Sequence, residues 1–352
     1  MISKKYSKDR IRSRITDTKH DLQEIGEFGL IHRIRRGITS SDPALVQGIG
    51  DDVAVIEVGE TATKALLVTT DILIEDIHFD LSWTDPSQLG RKALAVNLSD
   101  IASMGGIPKY FLISLGLPKN LSLSFISSFY RGLKKEAKRF RVELIGGDTS
   151  LSKTIVINIC LLGEGEKKDL LFRRGARVGD DLFISGTPGD AALGLRILQK
   201  KGKIKGAEGL IKKHLSPCPR VELGQAIAKR HWATAMIDVS DGLLIDTSHL
   251  LQESGVGVRV WEDRIPLSRL YQKWIRFFSK DPFQLALSGG EDYELLFTAP
   301  PELRERISSL ARSLRIPITR IGEILPIKEG LRIIKEDGKD YSPSRLGFEH
   351  FK

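Results

Sequence analysis

"TAMIDVSDGLLIDTSHLLQES", Thr234 to Ser254, decides the class of fold. It opens with a strand-length apolar run, turns at "SDG", and continues as a helix whose start carries Asp241 and Gly242. Working outward, "DLFISG" (Asp181 to Gly186) is a strand that passes through "GTPGDAALGL" into a helix, and "VELGQAIAKR" is another helix. "GVGVRVW", "ELLFTA" and "GLRIIK" supply further strands. Upstream, four apolar runs end in polar turns: "KALLVTTD" (Lys64 to Asp71), "KALAVNLSD" (Lys92 to Asp100), "KYFLISLGL" (Lys109 to Leu117) and "RVELIGGD" (Arg141 to Asp148). Between the last two, "LSLSFISSFYRGLKKEAKRF" places Phe125, Phe129 and Leu133 on one helical face, and "TIVINICLLGEG" is a strand. "EIGEFGLIHRIRRGI" reads as a short entry helix. Helices and strands mix in both halves, so the expected class is α/β or α+β with two domains. The charged, turn-rich "EKKDLLFRRGARVGDD" marks the boundary, giving residues 26–165 and 166–352 after a basic extension, 1–25.

A chain of 352 residues with 41% hydrophobic and 28% charged residues is long enough for two cores. No apolar run approaches the roughly 18 residues of a membrane span, and no signal-peptide h-region is found; neither membrane association nor export is expected. The two cysteines, Cys160 and Cys218, form no paired spacing, which fits a reducing cytoplasm. Of the net charge of +9, residues 1–20 carry seven Lys/Arg against Asp9 and Asp17. "QKKGKIKGAEGLIKKH" (Gln199 to His214) is also basic. With no nucleic-acid-binding motif beside them, both read as solvated surfaces rather than a nucleic-acid interface.

Carboxylates carry the functional signal. Asp52, Asp71, Asp100, Asp148 and Asp238 each stand at or beside the end of an apolar run, and Asp241 follows Asp238 by three residues. Any single one suits a turn or helix cap. Six together suit a site assembled at strand ends. Two carboxylates ~5 Å apart repel by roughly 3 kcal/mol at an effective dielectric of ~20, so a convergent cluster needs hard cations. An all-oxygen donor set selects Mg²⁺ or Ca²⁺, and several Mg²⁺ ions would suit a polyphosphate. No P-loop and no protein-kinase signature is present. "SGTPGDAALGL" lacks dinucleotide-loop spacing; its backbone N–H groups could hold an anion, or its glycines could serve helix-on-strand packing.

"GEFGLI", "GIGDDVAV", "VTTDILIEDIHF", "KALAVNLSDIASMGGIP", "LIGGDTS", "RRGARVGDDLFISGTPGDAALGL", "IDVSDGLLID" and "LSGGEDYELLFT" occur in that order, closing with "GFEHF". As a set they resemble the thiamine-monophosphate kinase family, within the aminoimidazole-ribotide synthetase-like (PurM-like) ATP-binding superfamily. The resemblance implies a homodimer of two-domain α/β chains. It also implies transfer of the ATP γ-phosphoryl group onto thiamine monophosphate. Carried over by motif, Asp52, Thr69, Thr70, Asp71, Asp100, Asp148, Asp238 and Asp241 would hold several Mg²⁺ ions, with Asp71, Asp148 and Asp238 at the catalytic centre. Gly147, Asp148, Arg173, Ser240 and Tyr130 would contact ATP. His78, Glu291 and Phe348 would contact the thiamine phosphate; Phe348 stands where some relatives carry tyrosine or tryptophan. Asp51 reads as a turn residue or a partner of Asp52, and Asp180 and Asp181 as strand entry.

Selenophosphate synthetase, phosphoribosyl-formylglycinamidine synthase and HypE share the acidic ATP site. The cysteine contexts of the first and last are not those of Cys160 and Cys218. A non-catalytic basic nucleic-acid-binding protein is the alternative of a different class.

Overall fold

A computed structural model describes residues 22–38, 40–59, 63–200 and 205–351. The basic stretch 1–20 therefore lies outside the described residues, as does part of the cluster after Gln199. The chain divides into two compact units, one of Met1–Ser41 with Glu349–Lys352 and one of Asp42–Phe348. In the smaller unit, α1 (Leu22–Gly37) bends at Gly26, where φ is +64°. There the His350 backbone N–H donates to the Glu27 carboxylate at 3.1 Å.

The larger unit holds two six-stranded sheets. The first comprises β1 (Leu45–Gln47), β2 (Ala54–Glu57), β3 (Lys64–Ile74), β4 (Ile107–Leu117), β5 (Glu143–Leu151) and β6 (Val156–Glu166) in the order β1-β2-β3-β6-β4-β5. Only the β4–β5 pair is parallel. Two helices, α2 (Pro86–Ser103) and α3 (Leu123–Phe140), belong to this half. Alternation along β6 is strict: Ile157, Ile159 and Leu161 are buried, and the residues between them are partly exposed.

The second half begins with β7 (Asp181–Ser185), α4 (Asp190–Gln199), α5 (Glu208–Leu215), α6 (Val221–Lys229), β8 (Ala235–Val239) and α7 (Leu243–Ser254). It continues with β9 (Val256–Trp261), α8 (Arg269–Ile275), α9 (Gln284–Ser288), β10 (Glu294–Ala299), α10 (Arg304–Leu314), β11 (Ile318–Pro326) and β12 (Leu331–Ile334). Its sheet runs β12-β9-β11-β7-β10-β8, and only the β12–β9 pair is parallel. Two mixed, mainly antiparallel sheets with helices make this a two-domain α+β arrangement. The strand–turn–helix read from Thr234 to Ser254 is β8, the "SDG" turn and α7.

One element differs from expectation. "KALAVNLSD" lies inside α2 and is helical, not strand-like. Asp85 caps that helix by accepting from Ser87 N (2.8 Å) and Gln88 N (3.4 Å), Gln88 returns the contact, and Pro86 opens the first turn. Nearly every residue from Leu89 to Ser103 is buried, Lys92, Asn97 and Ser99 included. A helix buried on all sides shows no amphipathic stripe, so a continuous apolar run cannot separate it from a buried strand.

Glycines let α2 approach its neighbours. A Cβ on Gly132 of α3 would lie 1.8 Å from the Ser87 carbonyl oxygen, and one on Gly224 of α6 would lie 2.0 Å from that of Ala102. Thus α2 touches both halves, and residues on it face both. The open question about "GTPGDAALGL" is also decided. The N–H groups of Gly189 (2.6 Å) and Ala191 (3.3 Å) at the start of α4 donate to Asp292, so an internal carboxylate fills the place an anion would take. Asp181 enters its strand as expected and pairs with Arg304 and Arg320.

Candidate active site

Four of the carboxylates meet at the junction of the two halves. Asp71 lies within β3, not at its end, and its backbone N–H donates to Asn97 Oδ1 on α2 at 3.1 Å. Thr69, two residues earlier and on the same face, donates its hydroxyl to Asp100 Oδ2 of α2 at 2.5 Å. From the second half, Asp238 near the end of β8 accepts from Ser99 Oγ at 2.6 Å. Asp52 precedes β2 and accepts from Arg173 Nε at 2.9 Å, with a second guanidinium contact to the same oxygen.

Their electrostatics record the convergence. Burial, with the neighbouring charge of Asp52, pushes Asp71 up to about 6. Burial first, then Asp71, Asp238 and Asp52, holds Asp100 well above the usual carboxylate range. Asp238 is raised by burial, Asp52 and Asp71. Asp51 is pushed up to about 7 by burial and then by Asp52, although it accepts from the Arg173 N–H at 3.2 Å. Arg173 is the internal countercharge: burial opposes its ionisation, but Asp52 and Asp51 more than offset that.

Among the described residues, no three His, Cys, Asp or Glu side chains close around a common point as a finished metal shell would. The donor set nonetheless fits a hard cation. It is all oxygen, it repels itself, and Asp52 Oδ2 is buried with no hydrogen-bond partner among the described residues.

The "SDG" turn is shaped by a residue that the sequence reading did not single out. Asp246, inside α7, accepts from the successive N–H groups of Ser240 (3.1 Å), Asp241 (3.1 Å) and Gly242 (3.0 Å). Gly242 has φ +135°, which disfavours any side chain there. The arrangement fixes the turn that carries Ser240 and Asp241 relative to Asp238. An Asp four residues into a helix beyond an "SDG" turn is the signal that could have identified it.

Two predicted ligands stand elsewhere. Thr70 is exposed on the opposite face of β3 from Thr69 and Asp71, and its hydroxyl accepts from Asn158 Nδ2 at 2.9 Å. Asp148 lies mid-strand in β5, in one cross-sheet row with Ser114, Asn158 and Ile72. That row is on the open face, and within it three strand spacings, roughly 14 Å, separate Asp148 from β3. Within one chain Asp148 therefore does not join the Asp71 cluster; it accepts from its neighbour Thr149 N at 2.8 Å. Gly147, exposed like the rest of β5, pairs with Ile113, and a Cβ there would lie 1.9 Å from the Ile113 carbonyl oxygen. Tyr130 on α3 packs edge-on against Phe129, with centroids 5.5 Å apart.

The three predicted acceptor contacts come from separate segments. His78 Nδ1 accepts from the Ile74 N–H at 3.0 Å. Phe348 has an exposed side chain, while its backbone N–H donates to the Asp241 carbonyl at 2.9 Å. Glu291 N donates to the Ser240 carbonyl at 2.6 Å. Its side chain lies between Lys92 Nζ (2.5 Å) and His214 Nδ1 (2.7 Å). Burial opposes the charge of Glu291, but Lys92 and His214 outweigh it and hold the carboxyl below its usual range. Glu291 and Tyr293 take left-handed φ of +69° and +50°, a conformation costing a side-chain-bearing residue roughly 1–2 kcal/mol.

Residues 50–164 match the family described as AIR synthase related protein, N-terminal domain, and residues 177–333 match its C-terminal domain. Fold and acidic junction together define a two-domain AIR synthase related protein. Thiamine-monophosphate kinase of Aquifex aeolicus is 40% identical over 332 residues, 94% of this chain and 99% of that protein. The Escherichia coli enzyme of the same name is 39% identical, covering 93% and 98%. The solved structure of AaThiL complexed with AMPPCP and TMP has a TM-score of 0.83 at 38% identity, covering 95% of this chain and 100% of that one. The chain belongs to the thiamine-monophosphate kinase family. HypE in complex with ATP shares the fold, with a TM-score of 0.66 at 20% identity. No described helix is long and apolar enough to cross a membrane.

Proposed function

We propose that this chain transfers the γ-phosphoryl group of ATP directly to thiamine monophosphate, yielding thiamine diphosphate. The observation that carries the reading is the meeting of Asp52, Asp71 and Asp100 from one half with Asp238 from the other, in a chain alike over its length to named thiamine-monophosphate kinases. Asp52, Thr69, Asp71, Asp100, Asp238 and Asp241 would hold Mg²⁺, which supplies charge neutralisation for a polyphosphate and orientation for in-line displacement. Arg173 exchanges Asp52 for ATP phosphate oxygens, a task its planar fork suits. Ser240, Gly147 and Tyr130 complete the nucleotide contacts; His78, Glu291 and Phe348 receive the thiamine phosphate. The acceptor is already anionic, so the transfer needs no strong general base. Residues 26–165 form the nucleotide-binding half, 166–352 the C-terminal half, and 1–25 a basic extension; the setting is the cytoplasm. Purified protein with ATP, Mg²⁺ and thiamine monophosphate should form thiamine diphosphate. Phosphorylation of free thiamine alone would replace the proposed acceptor.

The working unit in this reading is a homodimer. Every residue of β5 is exposed, including Leu144 at 40% and Ile145 at 52%, and among the described residues no strand pairs with its outer edge. Tyr110, Leu112 and Ile72 are also exposed on strands of this sheet. Exposed apolar surface along a free strand edge calls for cover, and a second copy would supply it. It would also enclose Thr70 and Asp148. Ile145→Lys should shift the protein from dimer to monomer in sedimentation. A monomeric parent would refute the assembly.

A further inference from the structure

Lys92 is a cation of α2 with only 1% of its surface exposed. Its ammonium lies 2.5 Å from Glu291 Oε1 and 3.5 Å from the carbonyl oxygen of His78. It thus touches two of the three residues assigned to the acceptor, one from each half of the chain. His214 of α5 is also buried, and its Nδ1 lies 2.7 Å from the other oxygen of Glu291. The Glu291 side chain keeps a quarter of its surface open, and each of its carboxylate oxygens faces one of these two buried groups. The loop carrying it is left-handed at both Glu291 and Tyr293 and leans by backbone hydrogen bonds on Ser240 and Val239. Such a loop needs an external hold to keep one side-chain direction.

A buried Lys–Glu pair contributes little net stability compared with apolar residues of similar volume. Orientation accounts better for its presence here. We propose that Lys92, seconded by His214, is a positioning residue that aims the Glu291 carboxylate at the cationic, amine-bearing ring system of the phosphate acceptor and keeps His78 in register with it. The inference rests on the kinase reading above. Lys92 does not touch the acceptor; it acts through Glu291.

Steady-state kinetics on the full chain test this, with thiamine monophosphate and ATP varied separately. Lys92→Met should raise KM for thiamine monophosphate about tenfold or more while KM for ATP stays within about twofold. Glu291→Gln should raise the same KM. In the double variant, which removes both buried charges and keeps the protein testable if Lys92→Met alone fails to fold, Lys92→Met should add less than twofold to the effect of Glu291→Gln. His214→Gln, which retains a donor, should restore most of the affinity lost in His214→Ala. An unchanged KM in Lys92→Met, or effects that multiply in the double variant, would overturn the proposal. A wild-type protein with no activity toward thiamine monophosphate would overturn the kinase reading itself, a separate result.

Discussion

Asp71→Asn should lower ATP-dependent phosphorylation of thiamine monophosphate by roughly 10³-fold, the upper range for removing one preorganised electrostatic group, without lowering the melting temperature of the metal-free protein. The two halves of that expectation share one cause. Asp71 carries its charge in a buried site beside Asp52 and Asp100. The charge is useful only when cations arrive; without them it is a source of repulsion. Its folded-state value of about 6 lies above the ordinary 3.8, so the folded chain binds the proton more tightly than the unfolded chain. By linkage, the penalty is complete above pH 6 and shrinks as pH falls toward 4. Asp51, raised to about 7, acts with the same sign. The wild-type protein in EDTA should therefore melt several degrees higher at pH 5 than at pH 7.5. Asp71→Asn should reduce that difference, leaving the part due to Asp51, and Mg²⁺ with ATP should reverse it. Scanning calorimetry at the two pH values decides the matter, and a variant that keeps its activity or loses stability would remove Asp71 from the proposed site.

Gly224→Val should cost about 3 kcal/mol, the upper end for overpacking a close contact, and depress the melting temperature on the order of 5–10 °C. A Cβ there would lie 2.0 Å from the Ala102 carbonyl oxygen, and backbone on both sides leaves nothing flexible to yield. Nearer the start of α2, Gly90 and Gly132 bring it equally close to α3. A displaced α2 would carry Asp100, Ser99, Asn97 and Lys92 with it, so turnover should fall further than stability predicts. Thermal melts paired with kcat measured well below the transition separate the two effects. A variant of normal stability and rate would show that α2 does not couple the halves.

Local chemistry made much of this molecule legible. Turn residues after β8 and apolar runs at β3, β4 and β6 announce themselves within a few residues, and strand-period burial follows from the pleat. The acidic cluster was also legible, because Asp52, Asp71, Asp100 and Asp238 recur in similar apolar contexts. Three features were not. The helical state of Lys92–Asp100 was hidden because burial on every side erases the amphipathic signal. Lys92 and His214 were unreadable because each meets Glu291 from a distant part of the chain, Lys92 across 199 residues, and a buried pair of that span has no signature in either neighbourhood. The anion-like place at the start of α4 looked open because its occupant, Asp292, lies 103 residues downstream.

By itself, the order of residues determined the family, the two-part α+β architecture and the stock of carboxylates, since these depend on short-range spacing and on motifs met in sequence. Only the tertiary structure decided which carboxylates share a pocket. Strand register put Thr69 and Asp71 on the covered face of β3 and Thr70 on the open one, with Asp148 in the open-face row, and a shift of one residue in pairing would exchange the faces. Register is set by packing across the whole sheet, and no local stretch contains it.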